Sequence, residues 1–292
     1  MSLPNQFNIN RYLTAKKSVD SRALNQHVWK TLQEKLSRGT PNKPARILEI
    51  GAGVGTMFER IAAHRLVDHA VYSAIDADPA CVKEMQRRLD HGNDQIKLET
   101  ETAVLRDFVE RERDCRSWDL LVVNAVLDLL DLASTLPLLQ SLIEPGGLMY
   151  FTINFDGVTI LEPAVDPLFD ASIEKLYNRT MDERVIDGQQ SGDSRCGRHL
   201  FKALIDIDTE ILSAGSSDWV VFAGHNGYPD DEQYFLHHII HTIETALFGH
   251  PELDERQLTK WVKTRHAQIE DQSLVYIAHQ LDFLCRVKDY NR

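Results

Sequence analysis

Apolar positions along this chain follow two rhythms that take turns. Short dense runs, Ile47-Leu48-Glu49-Ile50, Val71 to Asp76, Gln95 to Thr102 and Trp118 to Asn124, have the length and β-branched content of buried strands. Between them apolar residues recur at helical spacing, as in Val82, Met85 and Leu89, with Lys83, Arg87 and Arg88 on the opposite face. Asp78 suits a helix N-cap and Pro79 the first helical position. A fifth strand is expected over Leu148 to Ile153, entered from the turn Pro145-Gly146-Gly147. Strand and helix in alternation predict an α/β domain.

The flanks read differently. Val28, Leu32 and Leu36 recur every four residues, with Trp29 beside them, so residues 5–37 are expected to be helical and to end in the breaker-rich Arg38 to Pro44. From Asp166 to about Leu204 the pattern is polar and broken, which predicts a short helix near Ile173 to Tyr177, a loop around Asp187 to Ser194, and a helix from about Gly197. Glu210 to Phe222 reads as a sixth strand bent at Gly215-Ser216-Ser217-Asp218, and Ser273 to Arg286 as the last. Between them lie two helical patterns. One carries Tyr234, His237, His238 and His241 and ends at Gly249-His250-Pro251; the other is capped by Asp254 and runs to Ile269.

The candidate chemistry starts where the first strand ends. Glu49 is followed by Gly51, Gly53 and Gly55, and glycines at alternate positions let a backbone pass flush against a ligand. The dinucleotide fingerprint G-x-G-x-x-G would need a third glycine at residue 56, which is Thr56. That opposes a nicotinamide oxidoreductase. The pattern acidic-x-G-x-G-x-G, a second strand ending in Asp76, a fourth opened by Asp119 and a Pro-Gly-Gly turn into a fifth together resemble the class I S-adenosylmethionine (SAM)-dependent methyltransferases over residues 41–155.

The resemblance implies a Rossmann-like, seven-stranded, mostly parallel sheet with an antiparallel last strand, helices on both faces and added helical insertions. It implies residues 1–40 as a helical lid, 41–155 as the cofactor-binding core, 156–208 as a loop and helix elaboration, and 209–292 as the last two strands with a helical insertion at 229–271, all in one domain. SAM, leaving as S-adenosylhomocysteine, would then lie on Glu49, Gly51, Ala52, Gly53, Gly55, Asn124 and Ala125, with its ribose on Asp76 and its adenine near Ile75, Ala77, Glu101 and Thr102. A cation from the lid would meet the methionyl carboxylate, and Arg22 is the expected one among Arg11, Tyr12, Lys16, Lys17 and Arg22.

The acceptor is expected where the late elaborations meet the carboxyl edge of the sheet, with Asn154, Tyr177, Arg198, Trp219, Tyr234 and His237 as pocket residues. Methyl transfer from a sulfonium relies on alignment, so a base is needed only for an acceptor that must lose a proton. His237, His241 and Asp156 are candidates, followed by His225 and His279. His237 and His241 have the spacing of a metal-binding pair but lack the further ligands, so no metal is expected.

Composition narrows the acceptor. The 292 residues carry 44 acidic against 32 basic side chains, a net charge of −12 without a dense basic cluster, which disfavours nucleic acid. Asn124-Ala125-Val126-Leu127 also lacks the Asn/Asp-Pro-Pro-Tyr/Phe signature of exocyclic-amine methyltransferases and the acidic block of aminopropyl transferases. The expected substrate is a small, uncharged or cationic metabolite, with a non-catalytic SAM-binding module as the competing reading. No run of 18 apolar residues predicts a membrane span, and the widely spaced Cys81, Cys115, Cys196 and Cys285 fit a reduced, cytoplasmic protein. The late helices would alternatively form a homodimer interface.

Overall fold

The computed structural model describes residues 7–89, 95–112, 117–186 and 188–289. Cys115 and Asp187 lie outside the described residues. Two helices open the chain, α1 (Ile9–Ala23) and α2 (Gln26–Lys35), each capped by an asparagine, Asn8 and Asn25, whose side chain accepts from first-turn N–H groups. The helical stretch expected as one piece therefore breaks at the second cap.

Strand and helix then alternate: β1 (Ala45–Ile50), α3 (Thr56–Ala63), β2 (Ala70–Asp76), α4 (Pro79–Leu89), β3 (Ile96–Thr102), α5 (Leu105–Glu112), β4 (Trp118–Asn124), a 3-10 turn at Leu127–Leu129, α6 (Leu132–Ser141) and β5 (Ile143–Glu162). The remainder is α7 (Pro167–Asp182), a small hairpin of β6 (Val185–Ile186) and β7 (Gln189–Gln190), α8 (Cys196–Asp206), β8 (Thr209–Ser216), β9 (Trp219–Val221), α9 (Glu232–Leu247), α10 (Glu255–Glu270) and β10 (Val275–Val287).

The main sheet runs β3-β2-β1-β4-β5-β10-β8, parallel through β5 and antiparallel on both sides of β10. It is a mixed, Rossmann-like α/β sheet. It has eight strands rather than seven, because the sixth is divided at Ser217 and Asp218, leaving β8 and β9 both paired to β10. Separate apolar clusters cover the two faces, one around Tyr72, Leu120 and Tyr150, the other around Leu48, Leu121 and Phe151. Neighbours in sequence face opposite ways in a strand, so each run supplies both cores.

Two expectations are corrected. The fifth strand does not stop near residue 153: β5 has 20 residues, and Asn154 to Gly157 lie inside it rather than in a turn. Gly157 has φ +81°, and the pairing with β10 shifts register between Ala278 and Gln280, so the Asp-Gly step is a bulge in a long antiparallel pair. The short helix near Ile173 to Tyr177 is the 16-residue α7, started by the Asp166 cap and Pro167 and holding Ile173 and Leu176 in the core. No helix among the described residues is long and apolar enough to cross a membrane.

Candidate functional site

A cavity of about 490 Å³ opens at the carboxyl edge of the parallel strands, where open α/β sheets receive ligands. Its floor is the β1–α3 loop. Gly51 and Gly53 sit at φ +70° and +56°, which side-chain-bearing residues avoid, and a Cβ on Gly51 would lie 2.5 Å from the Val126 side chain. The loop is tied to the next strand: Gly51 and Ala52 donate to Ile75 O, and Gly53 donates to Asp76 Oδ2 at 2.7 Å. Asp76 Oδ1 accepts from the Asp78 N–H. Thus one carboxylate at the tip of β2 fixes the loop and faces the cavity.

Beneath the loop, Glu49 is buried and accepts from the Tyr72 hydroxyl at 2.6 Å. Burial pushes its carboxyl up to about 8, against the opposing pull of Tyr72 and Arg60, so it holds a proton at neutral pH. On the far side of the loop, Asn124 and Ala125, the latter at φ +55°, leave the end of β4; the Asn124 Oδ1 accepts from the Thr152 hydroxyl.

The roof comes from α1. Tyr12, Leu13, Lys16 and Asp20 line the cavity, and a Cβ on Gly53 would come within 3.1 Å of Leu13. Lys16 and Asp20 form an ion pair at 2.7 Å, with side chains 7% and 2% exposed. The Trp219 indole donates to Asp20 Oδ1 at 2.9 Å, which secures the buried carboxylate from a second side. Tyr12 stacks on His238 of α9 at 4.1 Å, and the Asn8 N–H donates to the Tyr234 hydroxyl, so α1 and α9 are fastened to each other across the opening.

The inner wall is formed by Asp128 and Leu129 after β4, Phe155 and Thr159 on β5, Tyr177 on α7, and Tyr276, Ala278 and Gln280 on β10. Burial raises the Asp128 carboxyl to about 6 and the Tyr177 hydroxyl to about 12, and lowers His238 to about 4, leaving that imidazole neutral at pH 7. The charged lining comprises Lys16 against Asp20, Asp76, Asp78 and Asp128, with Glu49 protonated beneath the loop. An acidic cavity with low-dielectric walls favours a cationic ligand.

Of the expected cofactor residues, Glu49, Gly51, Ala52, Gly53, Asp76, Asn124 and Ala125 converge on this cavity. Five others, Gly55, Ile75, Ala77, Glu101 and Thr102, do not line it, nor does the expected cation Arg22. Gly55 serves packing: a Cβ there would meet Leu89 and Met85 of α4 at 2.5 and 2.8 Å. Ala77 and Thr102 lie beyond the rim, and Glu101 is held by both terminal nitrogens of Arg111 on the neighbouring surface. Arg22 is clamped by two hydrogen bonds to buried Glu232, so the cation in the cavity is Lys16, six residues earlier on α1.

The expected acceptor residues divide similarly. Tyr177 and Trp219 line the cavity, whereas Asn154 donates to Leu281 O and is buried between strands. Arg198 forks onto Asp156 outside the cavity, which removes both from it. His237 turns away toward α10, bonding His266 at 2.8 Å and Glu270 at 3.0 Å, and His241 stacks on Phe7. Tyr234 meets Asn8, and His279 pairs with Asp218. His238 is the histidine of α9 that faces the cavity, and His225 is absent from its lining. Sequence reading missed Asp128, His238, Tyr276 and Gln280; the period-2 pattern of Tyr276, Ala278 and Gln280 was the available signal, since it puts all three on one strand face.

Residues 48–149 match a family model described as a methyltransferase domain. No curated protein matches the chain. Among solved structures the chain is similar to a SAM-dependent methyltransferase from Thiobacillus denitrificans in complex with S-adenosylhomocysteine, at 15% identity and TM-score 0.46 over 99% of this chain and 100% of that one. It is also similar to a putative sarcosine dimethylglycine methyltransferase from Galdieria sulphuraria, at 14% identity and TM-score 0.45 over 95% and 86%, and to a cyclopropane synthase from Mycobacterium tuberculosis, at 10% identity and TM-score 0.49 over 97% and 100%. With its acidic-x-G-x-G-x-G loop at the head of a mostly parallel, Rossmann-like sheet, the matched segment is similar to a methyltransferase domain.

Proposed function

We propose that the protein transfers the SAM methyl group to a small-molecule acceptor held in the inner part of the same cavity. One observation carries this reading: the glycine loop and Asp76 share a single cavity with an enclosed wall of Tyr177, Trp219, Tyr276 and Gln280 that a cofactor-only module would not need. Asp76 would hold the ribose hydroxyls while keeping the Gly53 N–H, since each carboxylate oxygen can accept more than one bond. The backbone at Gly51 to Gly53 would carry the methionyl part, and Lys16 its carboxylate, with Asp20, itself bonded by the Trp219 indole, holding the ammonium of Lys16 in place. In this reading the described part of residues 1–40 acts as the lid, and 156–208 and 229–271 contribute Thr159, Tyr177 and His238 to the acceptor wall.

When bound, SAM supplies a methyl carbon already activated by its sulfonium. The chain's part is to align the acceptor and to exclude water, which α1 does by closing over the loop and fastening to α9. The acidic lining and the overall charge of −12 also support a small cationic or neutral acceptor over nucleic acid. The test combines calorimetry with S-adenosylhomocysteine and a metabolite screen using deuteromethyl-labelled SAM. Cofactor binding together with label in a low-mass product is the expected result; binding of NADH in place of S-adenosylhomocysteine would overturn the reading.

A further inference from the structure

Two buried acceptors in the cavity lack a hydrogen-bond partner, and they come from distant parts of the chain. Gln280 on β10 is 2% exposed and its Oε1 has no partner; Asp128, on the turn after β4, has a buried Oδ1 without one. Both residues line the cavity. A buried acceptor left unpaired is costly, so in native proteins such groups call for a partner the protein itself does not supply. Two donors of the cavity are directed elsewhere: Lys16 bonds Asp20, and the Trp219 indole bonds the other oxygen of Asp20. His238 Nδ1 is likewise unpartnered, though its tautomer can either donate or accept.

A ligand that satisfies this wall must bring N–H or O–H donors, and the rings of Tyr12, Tyr177, Trp219 and Tyr276 surround them. An ammonium fits best. It offers several donors at once, its charge complements Asp128, and aromatic faces attract it. Resting on the reading of this cavity as a methyltransferase site, we propose that the methyl acceptor is an organic amine, bound as its ammonium with N–H bonds to Asp128 Oδ1 and Gln280 Oε1. Asp128 is also the group that can take the proton the nitrogen must shed before it attacks. Burial already raises that carboxyl's affinity for a proton. The freed lone pair forms the bond to the methyl carbon, the C–S electron pair stays on sulfur as S-adenosylhomocysteine leaves, and Asp128 returns its proton to solvent.

The experiment measures direct binding to the full chain saturated with S-adenosylhomocysteine, by calorimetry, for three matched pairs of probes: 2-phenylethylamine against 2-phenylethanol, benzylamine against benzyl alcohol, and cyclohexylamine against cyclohexanol. At least one amine should bind about tenfold or more tighter than its alcohol. Asp128→Asn and Gln280→Leu should each reduce that preference, and the double variant should abolish it, while S-adenosylhomocysteine affinity stays within about twofold. Deuteromethyl label should appear on the nitrogen of the preferred amine. The proposal falls if no amine outbinds its alcohol, if the preference survives in the double variant, or if either substitution weakens S-adenosylhomocysteine as much as the amine, which would assign the two acceptors to the cofactor. Failure of the wild-type protein to bind S-adenosylhomocysteine would instead strike the methyltransferase reading itself.

Discussion

The two halves of the cavity are built in opposite ways. The cofactor half is local: the loop between β1 and α3, the tip of β2 and the end of β4 are successive units of a parallel sheet, and one hydrogen bond from Gly53 to Asp76 closes the cradle. The proposed acceptor half joins Tyr12 of α1, Asp128, Tyr177, Trp219, His238 and Gln280, drawn from nearly the whole length of the chain. A strand–turn–helix unit can specify its own ligand loop, because glycine placement and a strand-tip carboxylate act over a few residues. A wall gathered from α1, β5, α7, α9 and β10 depends on how separately folded pieces meet. The first half should therefore fail cleanly in binding when altered, and the second should fail through stability as well.

The largest effect is expected at the junction. Lys16→Met leaves Asp20 buried with only the Trp219 indole as partner, and breaking a buried pair from one side should cost about 3–5 kcal/mol of stability. Adding Asp20→Leu should recover much of that loss, because a buried charge no longer lacks its partner. Denaturant unfolding of the two variants measures both; equal stability of the single and double variants would contradict the buried pairing.

Next comes the cradle. Gly53→Val puts a branched side chain on a backbone at φ +56°, facing Leu13 and the ligand path, and should weaken S-adenosylhomocysteine by about a hundredfold or more, while circular dichroism reports a folded protein. A folded variant with unchanged affinity would reduce the loop to a turn. Asp76→Ala should cost about 1.5–3 kcal/mol for each charge-assisted bond it removes from the cofactor, read by calorimetry. Because Gly53 and Asp78 also lose a hydrogen-bond partner, Asp76→Asn, which keeps one carbonyl acceptor, should retain more affinity than Asp76→Ala.

A pH effect should separate the halves less sharply. The Glu49 carboxyl is raised above its unfolded value, so its contribution is fully present below about pH 4 and is lost as pH rises through its folded value of about 8. Glu49→Gln, which still accepts from Tyr72, should flatten the decline of melting temperature over that window; an unchanged slope would mean that Glu49 is ionised in the fold. The smallest effect is reserved for Arg22→Ala. Bound to Glu232 rather than to the cavity, Arg22 should leave S-adenosylhomocysteine affinity within about twofold, and a larger loss would restore it as the carboxylate's partner.

The sequence by itself determined the parallel half: strand runs, the glycines at 51 and 53 and Asp76 are all local signals that meet at the cavity, and the Asp254 cap is an equally local signal for the last helix. It also predicted helices for the insertion at 229–271. Only the tertiary structure decided which faces of those helices look inward. His237, His238 and His241 are neighbours in sequence and alike in chemistry, yet α10 claims the first, the cavity the second and Phe7 the third. On one helix three such residues point about 100° per residue apart, so the choice belongs to whatever packs on each side. Lys16 displaced Arg22 for the same reason, since Arg22 lies where Glu232 of α9 crosses α1. Long β10 made the last decision: by pairing with β5 from Leu148 to Glu162 it brought Gln280 into the same cavity as Asp128, which neither residue could define alone.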